Sequence, residues 1–160
     1  NMEIGREAGR FAVEALGGPQ RSMAEWVRLG LEIDGFIFSE KVGPGKPSGW
    51  VHAALANLAE NCGLSAGCEH VDSLNVVSRF LEGGSLLIAS VTPELGESLE
   101  ITRKSGHLVL IHACSNVGDG VEAVCIHNPS GRTKELQAEA WIGAERFQSG
   151  FSGRLIHISR

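Results

Sequence analysis

The residues with the plainest chemical potential lie between Ser105 and Arg132, in SGHLVLIHACSNVGDGVEAVCIHNPSGR. Two apolar runs flank a polar, glycine-containing turn, so the segment reads as a β-hairpin. His107 opens the first strand, and Asn128, followed by Pro129, closes the second. A hairpin brings the start of one strand near the end of the other, so this imidazole and this amide can meet within hydrogen-bonding reach. An amide on one ring nitrogen fixes the tautomer in which the other can take a proton from a nucleophile. His107 and Asn128 are therefore the candidate catalytic residues, two members of a Cys-His-Asn apparatus. The same residue types also serve as ordinary strand-start and turn residues, and their identities alone leave that open.

The third member is harder to place. Of the four cysteines, Cys62 sits in Asn61-Cys62-Gly63 at the end of an expected helix, where the helix dipole disfavours a thiolate. Cys68 is expected in a loop, Gly67-Cys68-Glu69-His70, with an acid beside it. If the hairpin turns near Gly118-Asp119-Gly120, Cys114 faces Cys125, His112 faces His127, and all four share one face. Two Cys and two His are a zinc inventory. Their spacing matches no familiar zinc motif, a one-residue slip moves one strand's set to the other face, and small buried cysteines with satisfied core histidines are the commoner outcome. No metal and no cofactor are expected. By parity His107 lies on the opposite face from His112, so the candidate catalytic corner and this cluster are separate. No glycine-rich pattern sits between a strand and a helix as a phosphate loop requires.

Composition narrows the class. The chain has 160 residues, 42% of them hydrophobic and 21% charged, which suits one globular domain spanning 1–160 with a real core. A net charge of −5 with scattered Arg and Lys lacks the footprint of a nucleic-acid binder. No apolar stretch approaches the roughly 20 residues of a membrane-spanning helix, and no N-terminal signal is visible, so a cytoplasmic location is the default expectation. Asn1 ahead of Met2 reads as a cloning remnant. Four cysteines in a chain of this length are no disulfide framework.

Periodicity supplies the elements that must hold the hairpin. A first helix is expected over Met2 to Leu16, stopped by Gly17-Gly18-Pro19, and a second over Met23 to Leu31, with Ser22 and Glu25 as a capping box. Gly43 to Gly49 reads as an exposed loop. Ser48 would then cap a third helix, Trp50 to Cys62, and Asp72 or Ser73 a fourth, Leu74 to Glu82. Leu86 to Val91 reads as a buried strand, Thr92 to Lys104 as a long polar connection of the kind that is often functional, Glu135 to Gln148 as helical, and Arg154 to Ile158 as a closing strand. Helices first and strands later argue for α+β with an antiparallel sheet.

The order GHLVLIHA, turn, apolar strand, HNPSGR resembles the back half of the papain-like cysteine peptidases typified by the leader peptidases of bacteriocin exporters. GGSLLIASV, the helix before it, GWVHAALANLAENCGL, and the terminal FSGRLIHI after Phe147 extend the resemblance over most of the chain. It implies a papain-like fold, with a helical front half packed on a small antiparallel sheet. It also implies a site between the first helix and the His107 strand, and a peptide or leader-peptide substrate. Members of that family carry their nucleophile in a Cys-Gly-Pro-like motif at the start of the first helix. Laying Ile4-Gly5-Arg6 on that motif puts Ile4 in the nucleophile's place, at the start of the helix and directed toward His107. Isoleucine cannot attack a carbonyl. Two readings follow: a peptidase-type hydrolase whose nucleophile comes from elsewhere, or a non-catalytic domain that binds a peptide in the inherited cleft.

Overall fold

The structure, a computed structural model, describes residues 2–38, 49–96, 100–128 and 130–160, with side chains from Ala8 onward in the first helix. The elements run α1 (Met2–Ala15), α2 (Met23–Glu32), β1 (Phe36–Ile37), β2 (Gly49–Trp50), α3 (His52–Glu60), β3 (Ser65–His70), α4 (Leu74–Glu82) and β4 (Leu86–Val91). A 3-10 turn at Pro93–Gly96 leads toward β5 (His107–Val117) and β6 (Gly120–His127). Then come α5 (Lys134–Gln137), β7 (Ala140–Gly143), α6 (Ala144–Gly150) and β8 (Phe151–Ser159). The main sheet has six strands in the order β3-β8-β4-β5-β6-β7, and every neighbouring pair is antiparallel. This is an α+β architecture with a largely helical front half, as the element order of the sequence implied.

The sheet is covered on both sides, and the sequence explains how. Successive strand side chains point to opposite faces, so a strand buried on both faces must be apolar throughout. LLIASV in β4 and HLVLI at the start of β5 have that composition. Leu87, Val109, Ile111 and Leu155 point into one core with Val77 of α4 and Phe147 of α6. Ile88, Leu110 and Ile156 point into the other, with Ala8, Ala12 and Val13 of α1, Trp26 of α2, and Leu55 and Leu58 of α3. The small residues of α1, Ala8 and Ala12, are fully buried and let that helix approach the sheet closely.

Local signals hold where they carry a specific hydrogen bond. Ser22 Oγ accepts from the Glu25 N–H at 3.3 Å, and Glu25 accepts from the Ser22 N–H at 2.8 Å, completing the capping box of α2. Ser73 caps α4 by accepting from the Asn75 N–H at 3.1 Å, and α4 and β4 span the residues expected of them.

Four expectations are corrected. The third helix begins at His52, with Val51 as its N-cap, because Gly49–Trp50 pairs with Phe36–Ile37 as a short ribbon; Ser48 and most of the Gly43 to Gly49 loop lie outside the described residues. Cys68 is in strand β3, not in a loop: SAGCEH has little β-propensity of its own and is recruited as an edge by β8, with Cys68 opposite Ile156. The stretch Glu135 to Gln148 is not one helix. Glu139, at φ 52°, turns the chain, and Ala140–Gly143 docks on β6 as an edge strand before α6 begins. Finally, β5 carries irregularities between Ile111 and Ala113 and between Ser115 and Asn116. They shift the hairpin register, so Cys114 lies opposite Val124 and Cys125 opposite Ala113, while His127 lies opposite Leu110.

Phe147 of α6, fully buried in the core between that helix and the sheet's strands, gives the fold its most direct test. Phe147→Ala is expected to cost about 3–5 kcal/mol in urea unfolding. A loss under ~1 kcal/mol would mean that α6 does not seal this core.

Candidate functional site

His107 and Asn128 come from the ends of two strands that pair through β5 and β6. Because Leu110 lies opposite His127, continuing the register places Asn128 beside Val109, two residues along from His107 and on the same face. The side chains meet: His107 Nε2 lies 2.7 Å from Asn128 Oδ1. The Ser130 N–H donates to that same oxygen at 3.2 Å, which identifies the amide atom facing the ring as the acceptor. A carbonyl oxygen cannot donate, so Nε2 must carry a proton. In the neutral ring Nδ1 is then the unprotonated nitrogen, the one able to act as a base. Among the described residues it has no hydrogen-bond partner.

Both residues are shielded, with Asn128 1% and His107 7% exposed. Burial lowers the His107 pKa below its ordinary 6.5, and the hydrogen bond to Asn128 pulls the other way as the smaller effect. The imidazole is thus held neutral, in one tautomer, at neutral pH.

The surroundings explain how the pair is kept in place. The Asn128 N–H donates to the Gln137 carbonyl at 2.6 Å, and the Asn128 carbonyl accepts from Gly131 at 2.9 Å, so backbone bonds fix the end of β6. The 3-10 turn covers the amide: a Cβ on Gly96 would lie 2.7 Å from Asn128 Nδ2. That turn is tied by Glu94, whose carboxylate accepts from Thr92 Oγ1 at 3.0 Å, from the Thr102 N–H at 2.7 Å and from Thr102 Oγ1 at 2.5 Å. Hydrogen bonds led by that of the Thr102 side chain hold the Glu94 pKa down at about 2. Arg146 of α6 adds a bond to the Glu94 carbonyl at 3.1 Å. Glu94 and Gly96 therefore position the site. The sequence marked their segment as a long polar connection but offered nothing to single them out, beyond a Thr-x-Glu pattern at 92–94.

None of the four cysteines stands in hydrogen-bond contact with His107 among the described residues. Burial raises the thiol pKa of Cys62, Cys68 and Cys125. It pushes Cys114 up to about 11, with Cys125 and Glu82 adding to the effect. A thiol held protonated is a poor nucleophile. The four-residue zinc arrangement does not form either: the shifted register leaves Cys125 Sγ 3.6 Å from His112 Nε2, while Cys114 packs against the core on the Val77 and Phe147 side of the sheet. His127 instead meets Phe11 edge-on at 4.9 Å. Among the described residues no group of three or more metal-ligating side chains converges. Ile4 lies within α1 rather than at its first residue; where its side chain points relative to His107 lies outside the described residues. Among those residues no helix is long and apolar enough to cross a membrane.

The sequence matches no family model and no curated protein. The fold does match solved structures. The peptidase domain of Streptococcus ComA, a bi-functional ABC transporter involved in a quorum-sensing pathway, superposes with a TM-score of 0.65 at 14% identity, over 99% of this chain and 91% of that one. A C39-like peptidase from Bacillus anthracis gives a TM-score of 0.65 at 14% identity, over 100% of this chain and 90% of that one. The chain has the papain-like α+β fold of these C39-type cysteine peptidase domains.

The buried imidazole makes stability depend on pH. A His whose folded pKa lies below its unfolded value stabilises fully above the unfolded value near 6.5, and that contribution is lost as pH falls from there through the folded pKa. Imidazole resonances in native protein should report His107 titrating below 6.5, with the proton on Nε2. Asn128→Leu, which keeps the burial but removes the bond, should lower it further. A native pKa above 6.5, or a proton on Nδ1 alone, would refute this account of the pair.

Proposed function

We propose that this chain, as one peptidase-type domain over 1–160, engages a peptide or amide substrate at the His107–Asn128 site without a thiol nucleophile of its own among the described cysteines. The observation that carries the proposal is the coexistence of a shielded, tautomer-fixed imidazole with four thiols that are all held protonated. General-base geometry is in place, but the group it would activate is not. Under this reading the domain is a peptide-binding relative of an active peptidase, and Ile4 occupies the position where the family resemblance places the nucleophile. Because the fold neighbours include the peptidase domain of an ABC transporter, a leader peptide is the occupant we propose for the cleft.

One observation favours a second reading. A binding module has no evident need for a buried His paired to a buried Asn, whereas amide hydrolysis needs both. In that reading His107 is the general base, Asn128 orients it, and the nucleophile is supplied by another chain or by a residue outside those described.

Labelling native protein with a chloromethyl ketone, read by mass spectrometry with and without His107→Ala, separates the two. Slow labelling of the cysteines, equal in both proteins, is the expected result. One cysteine labelled fast, and only when His107 is present, would make the chain a hydrolase with its nucleophile in an unexpected place. In parallel, a dye-tagged leader peptide ending in Gly-Gly should raise fluorescence anisotropy on binding and be recovered intact. Absence of both binding and cleavage of that peptide would overturn the leader-peptide reading.

A further inference from the structure

The six-stranded sheet ends on two edge strands, β3 and β7. An edge strand presents unpaired N–H and C=O groups, and natural sheets usually guard them with charge, proline or a bulge. β3 carries such charge in Glu69 and His70. β7 does not: its sequence is AWIG, and its pairing with β6 runs without a break from Ala140 opposite Ile126 to Gly143 opposite Ala123. Among the described residues no strand pairs with its other side, and no backbone hydrogen bond outside that pairing reaches Ala140–Gly143.

The side chains of β7 divide sharply. Ala140 and Ile142 are buried in the core, whereas Trp141 between them is 55% exposed. Tryptophan is the residue type most enriched among the anchors of protein interfaces. The surroundings are acidic: residues 135–145 hold three glutamates and no lysine or arginine. Glu139 and Glu145 bracket the strand, both exposed, and neither meets a cation among the described residues. Burial raises the Cys125 thiol pKa and the Glu139 carboxylate adds to the rise, so that charge stands near the residue opposite Trp141. The edge thus offers open backbone groups, one exposed indole and a carboxylate at either end.

We infer that β7 is a docking edge for an extended peptide segment that carries basic residues about six positions apart and adds to the sheet as a further strand. The backbone of the segment pairs with the outer N–H and C=O groups of Ala140–Gly143. An apolar side chain covers Trp141, and the two cations face Glu139 and Glu145. The charges decide against a second copy of this chain as the occupant. Antiparallel pairing of two β7 edges about their centre would set Glu139 of each copy beside Glu145 of the other, and the net charge of −5 adds to that repulsion. The edge stands on the far side of β6 from His107 and does not require the peptidase-type reading to hold.

The test is an NMR titration of the full chain with the peptide Ac-Lys-Thr-Val-Thr-Val-Thr-Lys-amide, following the backbone amides of Ala140–Gly143 and their hydrogen exchange. Saturable binding should shift these amides and slow the exchange of those that point outward. The peptide with glutamate in place of both lysines should bind roughly tenfold more weakly, a difference that high salt should largely remove. The peptide N-methylated throughout its central residues should not bind, since it has no N–H to donate. Trp141→Ala should weaken the parent peptide by at least about fivefold. Glu139→Asn combined with Glu145→Gln should weaken it by roughly fivefold; asparagine suits the φ of 52° at position 139. Both variants should keep the melting temperature of the parent chain, because all three side chains are exposed. No saturable binding, equal binding of the N-methylated peptide, or equal binding of the glutamate peptide at low salt would each overturn the inference. A dimer in sedimentation that Trp141→Ala dissolves would put a second copy on the edge and overturn it as well.

Discussion

The constraint on which the rest of the structure depends is that β4, β5 and β8 are buried on both faces. Leu87 and Ile88, Val109 and Leu110, Leu155 and Ile156 are sequence neighbours that serve opposite cores. A strand of this kind has no solvent face to absorb an error. A slip of one residue would exchange the two sets, forcing Leu side chains into space shaped by the small residues of α1. The register of β5 on β4 is therefore fixed by packing on two sides. His107 and Asn128 inherit that precision, because they stand where β5 begins and β6 ends.

A short hydrogen bond between two neutral side chains contributes little net stability in water. Behind Gly96 it does something else: it selects which ring nitrogen keeps its proton and which remains a base. Burial then keeps the ring neutral, and Glu94 ties Thr92 to Thr102, anchoring the connection that leads into His107. The chemistry of the corner is set mainly by exclusion of water and by backbone bonds around Asn128, with few charged groups involved. Against that background the high thiol pKa values belong to ordinary core and edge positions, where burial alone accounts for their direction.

What the sequence disclosed follows from how local each signal is. The helix α4, with Ser73 ahead of an amphipathic run, and the strand β4, with continuous apolar residues, could be read to the residue because cap and pattern lie within the segment itself. The His107–Asn128 meeting was legible because a hairpin is a local object. Edge strands β3 and β7 were not. Neither SAGCEH nor AWIG carries a strand pattern, and each becomes a strand because an already formed neighbour offers unpaired backbone groups. The shifted register at His112 was invisible for a related reason: a bulge is a compromise between two strands, and neither one records it alone. Glu94 escaped notice because its partners, Thr92 and Thr102, are brought together only by the folded connection.

Gly96 shows how much of the His107–Asn128 corner can be written in what is left out. Its missing side chain is the room in which the Asn128 amide lies. One added methyl at 96 would act as a wedge, tilting the amide from the ring while leaving every titratable and hydrogen-bonding group of the site intact. Inventories of reactive side chains pass over such a position. In chains of this fold with few shared residues, a vacancy kept at the back of the amide would be a fingerprint of an aligned imidazole.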